Sequence, residues 1–141
     1  MEQGKKSDPD YHIVVVDDDV DIQAFVRFVL ERVHFSVTCH HDSEAAMAAM
    51  HTHPPDLIIT DLMMKSLDEG FAFAQCVKAT PSLASVPVLM MTAASSQRGF
   101  NLGPQSKEEL KAMHVDAFLN KPLTPRNLVR QVCKLLSIPP R

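Results

Sequence analysis

Four short apolar runs, each closed by a polar side chain, constrain this chain more than any other feature. They are HIVVV at 12–16 before Asp17, LIIT at 57–60 before Asp61, VPVLMM at 86–91 before Thr92, and AFL at 117–119 shortly before Lys121. Runs this short and this continuously apolar fit strands buried on both faces, which is the habit of parallel sheets. A fifth strand is predicted at Phe35–Cys39. Between the strands the apolar period changes to that of a helix. From Asp21 onward, Ile22, Phe25, Val26, Val29, Leu30 and Val33 form one stripe. Asp42 or Ser43 caps a helix through Met50, and Pro54–Pro55 ends it. Another helix runs from about Gly70 to Ala79, stopped by Pro81. Ser106 and Glu109 fit a capping box, predicting a helix from about Lys107 to Met113. Thr124 caps the last helix with Pro125 at its first position, and Leu128, Val129, Val132, Leu135 and Leu136 make its stripe. Five strands alternating with five helices predict an α/β domain built on a doubly wound parallel sheet.

At 141 residues one domain is expected: a flexible tail over 1–11, the folded unit over 12–138, and a short tail over 139–141. Hydrophobic residues at 45% supply its core. A net charge of −3 gives no reason to expect binding to nucleic acid or membrane. No apolar run is long enough to span a bilayer, and the polar start MEQGKKSDPDY resembles no signal peptide, so a cytoplasmic protein is expected. Cys39, Cys76 and Cys133 are odd in number and far apart, and read as reduced, mostly buried thiols. The pairs His40–His41 and His51/His53 lack carboxylate or thiol company and read as exposed loop residues.

In open α/β sheets ligands sit at the carboxyl ends of the strands. Those ends carry Asp17 and Asp18, Asp61, Thr92 and Lys121. Clustered carboxylates stay ionised at neutral pH only beside a cation. Mg²⁺, with its preference for a few carboxylates, waters and phosphate oxygens, is the natural one. A metal, a free carboxylate, a hydroxyl and an ammonium together suit phosphoryl transfer to a carboxylate. Asp61 is the better nucleophile, because Asp17 and Asp18 are adjacent and better placed as ligands. Asp19 reads as the cap of the first helix.

The segments VVVDDD (14–19), IITDLMM (58–64), VLMMTAA (88–94) and FLNKPL (118–123), in this order and spacing, resemble the receiver (chemotaxis-regulator-like) domain of two-component response regulators. The resemblance covers residues 12–137 and implies a flavodoxin-like sheet of strand order 2-1-3-4-5. It implies a switch that catalyses only its own phosphorylation and slow dephosphorylation. Asp61 accepts a phosphoryl group from a histidine kinase or phosphotransfer protein. Asp18, Asp61 and the Met63 carbonyl ligate Mg²⁺, with Asp17 acting through water. Lys121 pairs with Asp61 and later with its phosphate, Thr92 moves to the phosphoryl oxygen, and Phe118 stands at the aromatic switch position. The Lys121–Pro122 peptide is expected to be cis. A downstream protein then reads the face made by the fourth helix, fifth strand and fifth helix.

The chain departs from that pattern in places. Lys65 replaces a usual proline, and Asp68-Glu69-Gly70 is one residue longer than the usual Asp-Gly. Met63 and Ala94 offer no group to position an attacking water, so fast self-hydrolysis is not expected. Extra length lies in Ala93–Gln105, where Phe100 and Leu102 could anchor it. His114 replaces a usual glycine, which strains that turn or changes its form. Two other functions remain open on the residues alone. One is a phosphorylation-independent pseudo-receiver; the complete acidic set with Thr92 and Lys121 argues against it. The other is a Mg²⁺-dependent aspartyl phosphatase using Asp17 and Asp19, which lacks its later acidic motif here.

Overall fold

The computed structural model describes residues 11–62, 69–92 and 114–141. Five parallel strands, β1 (His12–Val16), β2 (Ser36–His40), β3 (Leu57–Asp61), β4 (Val88–Thr92) and β5 (Ala117–Asn120), form one sheet in the order β2-β1-β3-β4-β5. Among the described residues four helices flank it: α1 (Val20–Arg32), α2 (Ser43–Thr52), α3 (Glu69–Ala79) and α4 (Pro125–Leu136). The helix predicted over 107–113, the extra length at 93–105, Lys65 and Asp68 lie outside the described residues.

The sheet is buried on both faces, which explains the unbroken apolar runs. Ile13, Val15, Leu57, Ile59, Leu89 and Met91 face α1 and α4, where Val26, Val29, Leu30, Leu128 and Val132 complete a core. Val14, Val16, Ile58, Val88 and Met90 face the other way, toward Ala46, Met50, Phe73, Ala74 and Val77 of α2 and α3. Successive strand residues alternate between the two cores, as the two-residue period of a strand requires.

Two strand boundaries differ from expectation for local reasons. Phe35 donates its N–H to the Leu30 carbonyl (3.1 Å) and closes α1, so β2 begins one residue later. His34 donates to the Glu31 carbonyl (3.1 Å) with φ 73°, completing a Schellman-type stop without glycine. Val86 donates to the Leu83 carbonyl (3.0 Å) in a turn, so β4 begins at Val88, after Pro87. The caps are as predicted at Asp42, Asp19 and Thr124; each side chain accepts a backbone N–H in the first turn of its helix. His114 keeps the left-handed backbone of the glycine it replaces, at φ 64°. A non-glycine residue holds that conformation at a cost of about 1 kcal/mol. The cysteines are free, but they are not uniformly buried: Cys133 is buried, Cys39 half-buried and Cys76 exposed.

The ends of the described chain meet at the amino edge of the sheet. The Arg141 guanidinium lies over the Phe35 ring (4.4 Å) and the Tyr11 ring (5.4 Å), and donates to the Val33 carbonyl (3.3 Å).

Candidate functional site

The strand order reverses between β1 and β3, and the carboxylates sit at that break. Asp17 and Asp18 follow β1 directly, and Asp61 is the last residue of β3. Asp17 is fully buried and Asp61 is 7% exposed, whereas Asp18 is exposed. One ligand oxygen from each of the three lies within 4.8 Å of the others. Lys121, just past β5, reaches across with Nζ 3.2 Å from Asp61 Oδ1 and 3.7 Å from Asp17 Oδ2.

Backbone hydrogen bonds fix these positions. The Lys121 N–H donates to the Thr92 carbonyl (2.7 Å), tying the end of β5 to the end of β4. Thr92 is buried at the end of β4, one position beyond Met91, the β-sheet partner of Asp61. The Lys121–Pro122 peptide is cis. Phe118 lies apart from the carboxylates, half-buried and edge-on to Phe71 at 6.4 Å. Met63 and Ala94 lie outside the described residues. Asp19 caps α1, its Oδ1 accepting from Asp21 N–H (2.9 Å) and Ile22 N–H (3.4 Å), and takes no part in the cluster.

Burial governs the electrostatics. It pushes the Asp17 carboxyl up to about 6, with the Asp61 and Asp18 charges adding to the rise and the Asp19 N–H and Lys121 opposing it. Burial likewise raises Asp61, and Lys121 pulls it back. One ammonium does not balance three carboxylates. Asp17 Oδ1 accepts the Asp19 N–H (2.8 Å), while the buried Oδ2 has no hydrogen-bond donor. An oxygen in that state, beside two more carboxylates, fits a hard divalent cation with oxygen ligands. Asp17, Asp18 and Asp61 are the residues that would hold it.

Two contributors had no signal in the residue pattern. The Gln23 side-chain amide donates to the Asp17 carbonyl and, at 3.4 Å, to the His40 carbonyl. The Asp17 N–H also donates to the His40 carbonyl (3.1 Å), so α1 clamps the ends of β1 and β2 together. His40 is thus half-buried rather than a loop residue, and burial lowers its pKa; His41, His51 and His53 are exposed as expected. Gln23→Ala is expected to cost about 1 kcal/mol in urea unfolding and to weaken Mg²⁺ binding in the same samples. Unchanged values for both would remove the clamp from the site.

Gly70 is the second contributor. Its N–H donates to the Leu62 carbonyl (2.8 Å). A Cβ there would press on the Asp61 carbonyl and stand 2.7 Å from Leu62 Cα and 2.8 Å from its oxygen. These are backbone atoms and no rotamer change relieves them. An alanine in place of a helical glycine ordinarily gains about 1 kcal/mol. At this position the overlap wins, and Gly70→Ala is expected to lose ~1–3 kcal/mol in denaturant unfolding. A stabilised variant would show that α3 can retreat from Asp61 freely.

The chain matches the family model described as the response regulator receiver domain over residues 13–133. It is 30% identical over 124 residues to the alkaline phosphatase synthesis transcriptional regulatory protein PhoP of Bacillus subtilis, covering 88% of this chain and 48% of that protein. It is 29% identical to the phosphate regulon transcriptional regulatory protein PhoB of Klebsiella pneumoniae, covering 85% of this chain and 49% of that one. The chain therefore spans about half the length of these regulators. Among solved structures, the chemotaxis response regulator CheY4 of Vibrio cholerae superposes with a TM-score of 0.75 at 26% identity, over 89% of this chain and 98% of that one. No helix among the described residues is long and apolar enough to cross a membrane. The sheet order, the acidic cluster at its break and the family match over most of the chain agree: this chain belongs to the receiver domain family of two-component response regulators.

Proposed function

We propose that this domain accepts a phosphoryl group on Asp61 from a histidine kinase or phosphotransfer protein, with Mg²⁺, and so switches a surface read by a downstream protein. The observation that carries this is Asp61 itself. It is a buried carboxylate with an ammonium 3.2 Å away and two further carboxylates on the adjoining strand end. An Asp61 oxygen attacks phosphorus, the bond from phosphorus to the donor nitrogen breaks, and the donor histidine leaves. Bound Mg²⁺ supplies neutralisation of the phosphoryl oxygens. Lys121 holds Asp61 in line beforehand and balances the added negative charge afterward. Asp18 and Asp61, with the Met63 carbonyl, would hold the cation directly and Asp17 through water.

The readout is a shift between two arrangements, in which phosphate favours the one that Thr92 and Lys121 stabilise. Phe118 is the aromatic group that responds, and the face made by β5, α4 and the helix predicted over 107–113 carries the signal. The working unit is 12–138, and it acts in the cytoplasm as a switch.

The test is incubation with acetyl phosphate. A gain of one phosphoryl mass that needs Mg²⁺, vanishes with chelator and maps to Asp61 is expected. Thr92→Ala should take up phosphate and lose the partner response. No uptake at Asp61 from acetyl phosphate or from kinase donors would leave a pseudo-receiver.

A further inference from the structure

We infer that the outer face of α4 is a docking ridge for an acidic, amphipathic protein segment. The argument starts from which cations have partners. Among the described residues, Arg27 pairs with Glu31 (3.1 Å), Arg32 lies over Phe28 (5.4 Å), and Lys78 pairs with Asp116 (3.1 Å). Lys121 serves the carboxylate site and Arg141 lies over Phe35 and Tyr11. The remaining three, Arg126, Arg130 and Lys134, are exposed and have neither an ion pair nor a side-chain hydrogen bond. They recur every four residues, so they form one row along the helix with steps of about 6 Å.

Charge is segregated on a larger scale too. Residues 117–141 contain five Lys and Arg and no Asp or Glu. The other 116 residues hold nine Lys and Arg against all seventeen Asp and Glu, a net of −8. Three like charges at four-residue spacing repel one another and weaken an isolated helix. Beside the row lies a cavity of about 530 Å³, lined by Pro125, Val129 and Pro140 as well as Arg126, Arg130 and Arg141. Cations in a row next to apolar side chains fit a helical segment with acidic residues every fourth position and an apolar residue alongside. A long polyanion is a worse fit. Nucleic acid carries charge every ~1.7 Å over its whole length and would run off a row about 12 Å long onto the rest of a chain whose other 116 residues carry a net of −8. A flat anionic membrane meets the same repulsion.

This deepens the partner half of the proposed function and rests on it for its place in signalling, but the ridge uses residues outside the phosphoryl site. The probe is a labelled synthetic helical peptide with Glu at every fourth position and Leu between, followed by anisotropy on the full chain. Expected are binding that weakens as salt rises from about 0.05 to about 0.3 M, and a loss of at least about tenfold in Arg126→Glu/Arg130→Glu. Arg126→Gln/Arg130→Gln should lose less, and Arg27→Glu on α1 nothing. Asp61→Asn should bind the peptide like unphosphorylated wild type, so failed phosphoryl uptake with intact binding sinks the phosphoacceptor reading alone. No peptide binding, equal binding by the charge-reversed variant, or tighter binding to duplex oligonucleotide or phosphatidylglycerol vesicles would overturn the ridge.

Discussion

Lys121→Ala is expected to slow phosphoryl uptake at Asp61 by about two to three orders of magnitude, the range seen when one preorganised charge-stabilising group is removed. The ammonium lies 3.2 Å from Asp61 and 3.7 Å from Asp17, and it is mostly sheltered from water, at 22% exposure. Its loss acts twice. The phosphoryl group loses a cation that would meet its growing negative charge, and Asp61 loses the charge that offsets its burial. The second effect has its own signature. The pH profile of uptake should move to higher pH, because Asp61 stays protonated further toward neutrality. Folding should also weaken, because two buried carboxylates then face each other with less relief. Rates measured by intact mass across pH decide the matter. An uptake rate and profile like those of the wild type would remove Lys121 from the chemistry.

Asp17→Asn is expected to make the domain more stable without metal and to remove any stabilisation by added Mg²⁺. The folded protein raises the Asp17 pKa to about 6, above its ordinary carboxylate value, and burial is the chief cause. A raised value means that the folded state holds this proton more tightly than the unfolded chain does. The stability it contributes is therefore fully present below about pH 4 and is lost as pH rises to and through about 6. A rise of that size corresponds to ~3 kcal/mol at neutral pH. Asparagine does not titrate and can keep the Asp19 N–H contact through its own Oδ1. It forfeits the attraction to Lys121, so a net gain of about 1–2 kcal/mol is expected near pH 7.5. Melting curves of both proteins from pH 4 to 8 should diverge within that window. Added Mg²⁺ should stabilise only the wild type. Parallel pH curves would show that the Asp17 carboxylate is relieved in the folded state by something other than a bound cation.

The strand ends were legible because each apolar run stops at a side chain that a core does not need. Asp17, Asp61 and Thr92 close β1, β3 and β4 where the runs predict, and Lys121 follows β5. The parallel sheet followed from runs lacking polar alternation. What stayed hidden was mostly side chain to backbone. Gln23 looks like any polar residue near the start of an amphipathic helix, and only the fold brings its amide to the Asp17 and His40 carbonyls at the ends of β1 and β2. Gly70 was read as an irregular spacing of the usual Asp-Gly. The crowding that demands a glycine comes from the Asp61–Leu62 backbone, which no local pattern reports. Boundaries at Phe35 and Val86 shifted because their N–H groups go to helix and turn carbonyls, a competition that propensity does not encode. The row Arg126–Arg130–Lys134 went unread beside the apolar stripe of its helix, because its lack of partners is a property of the folded surface.

The stack of Arg141 on Phe35 and Tyr11 gives the domain a polarity. Both ends of the described chain are gathered at the amino pole of the sheet, and the carboxylates occupy the opposite pole. Arg141 therefore lies away from Asp61 and does not cover it. A change at Asp61 reaches that pole only along the strands or the flanks of the sheet. A partner that binds side-on has the shorter path.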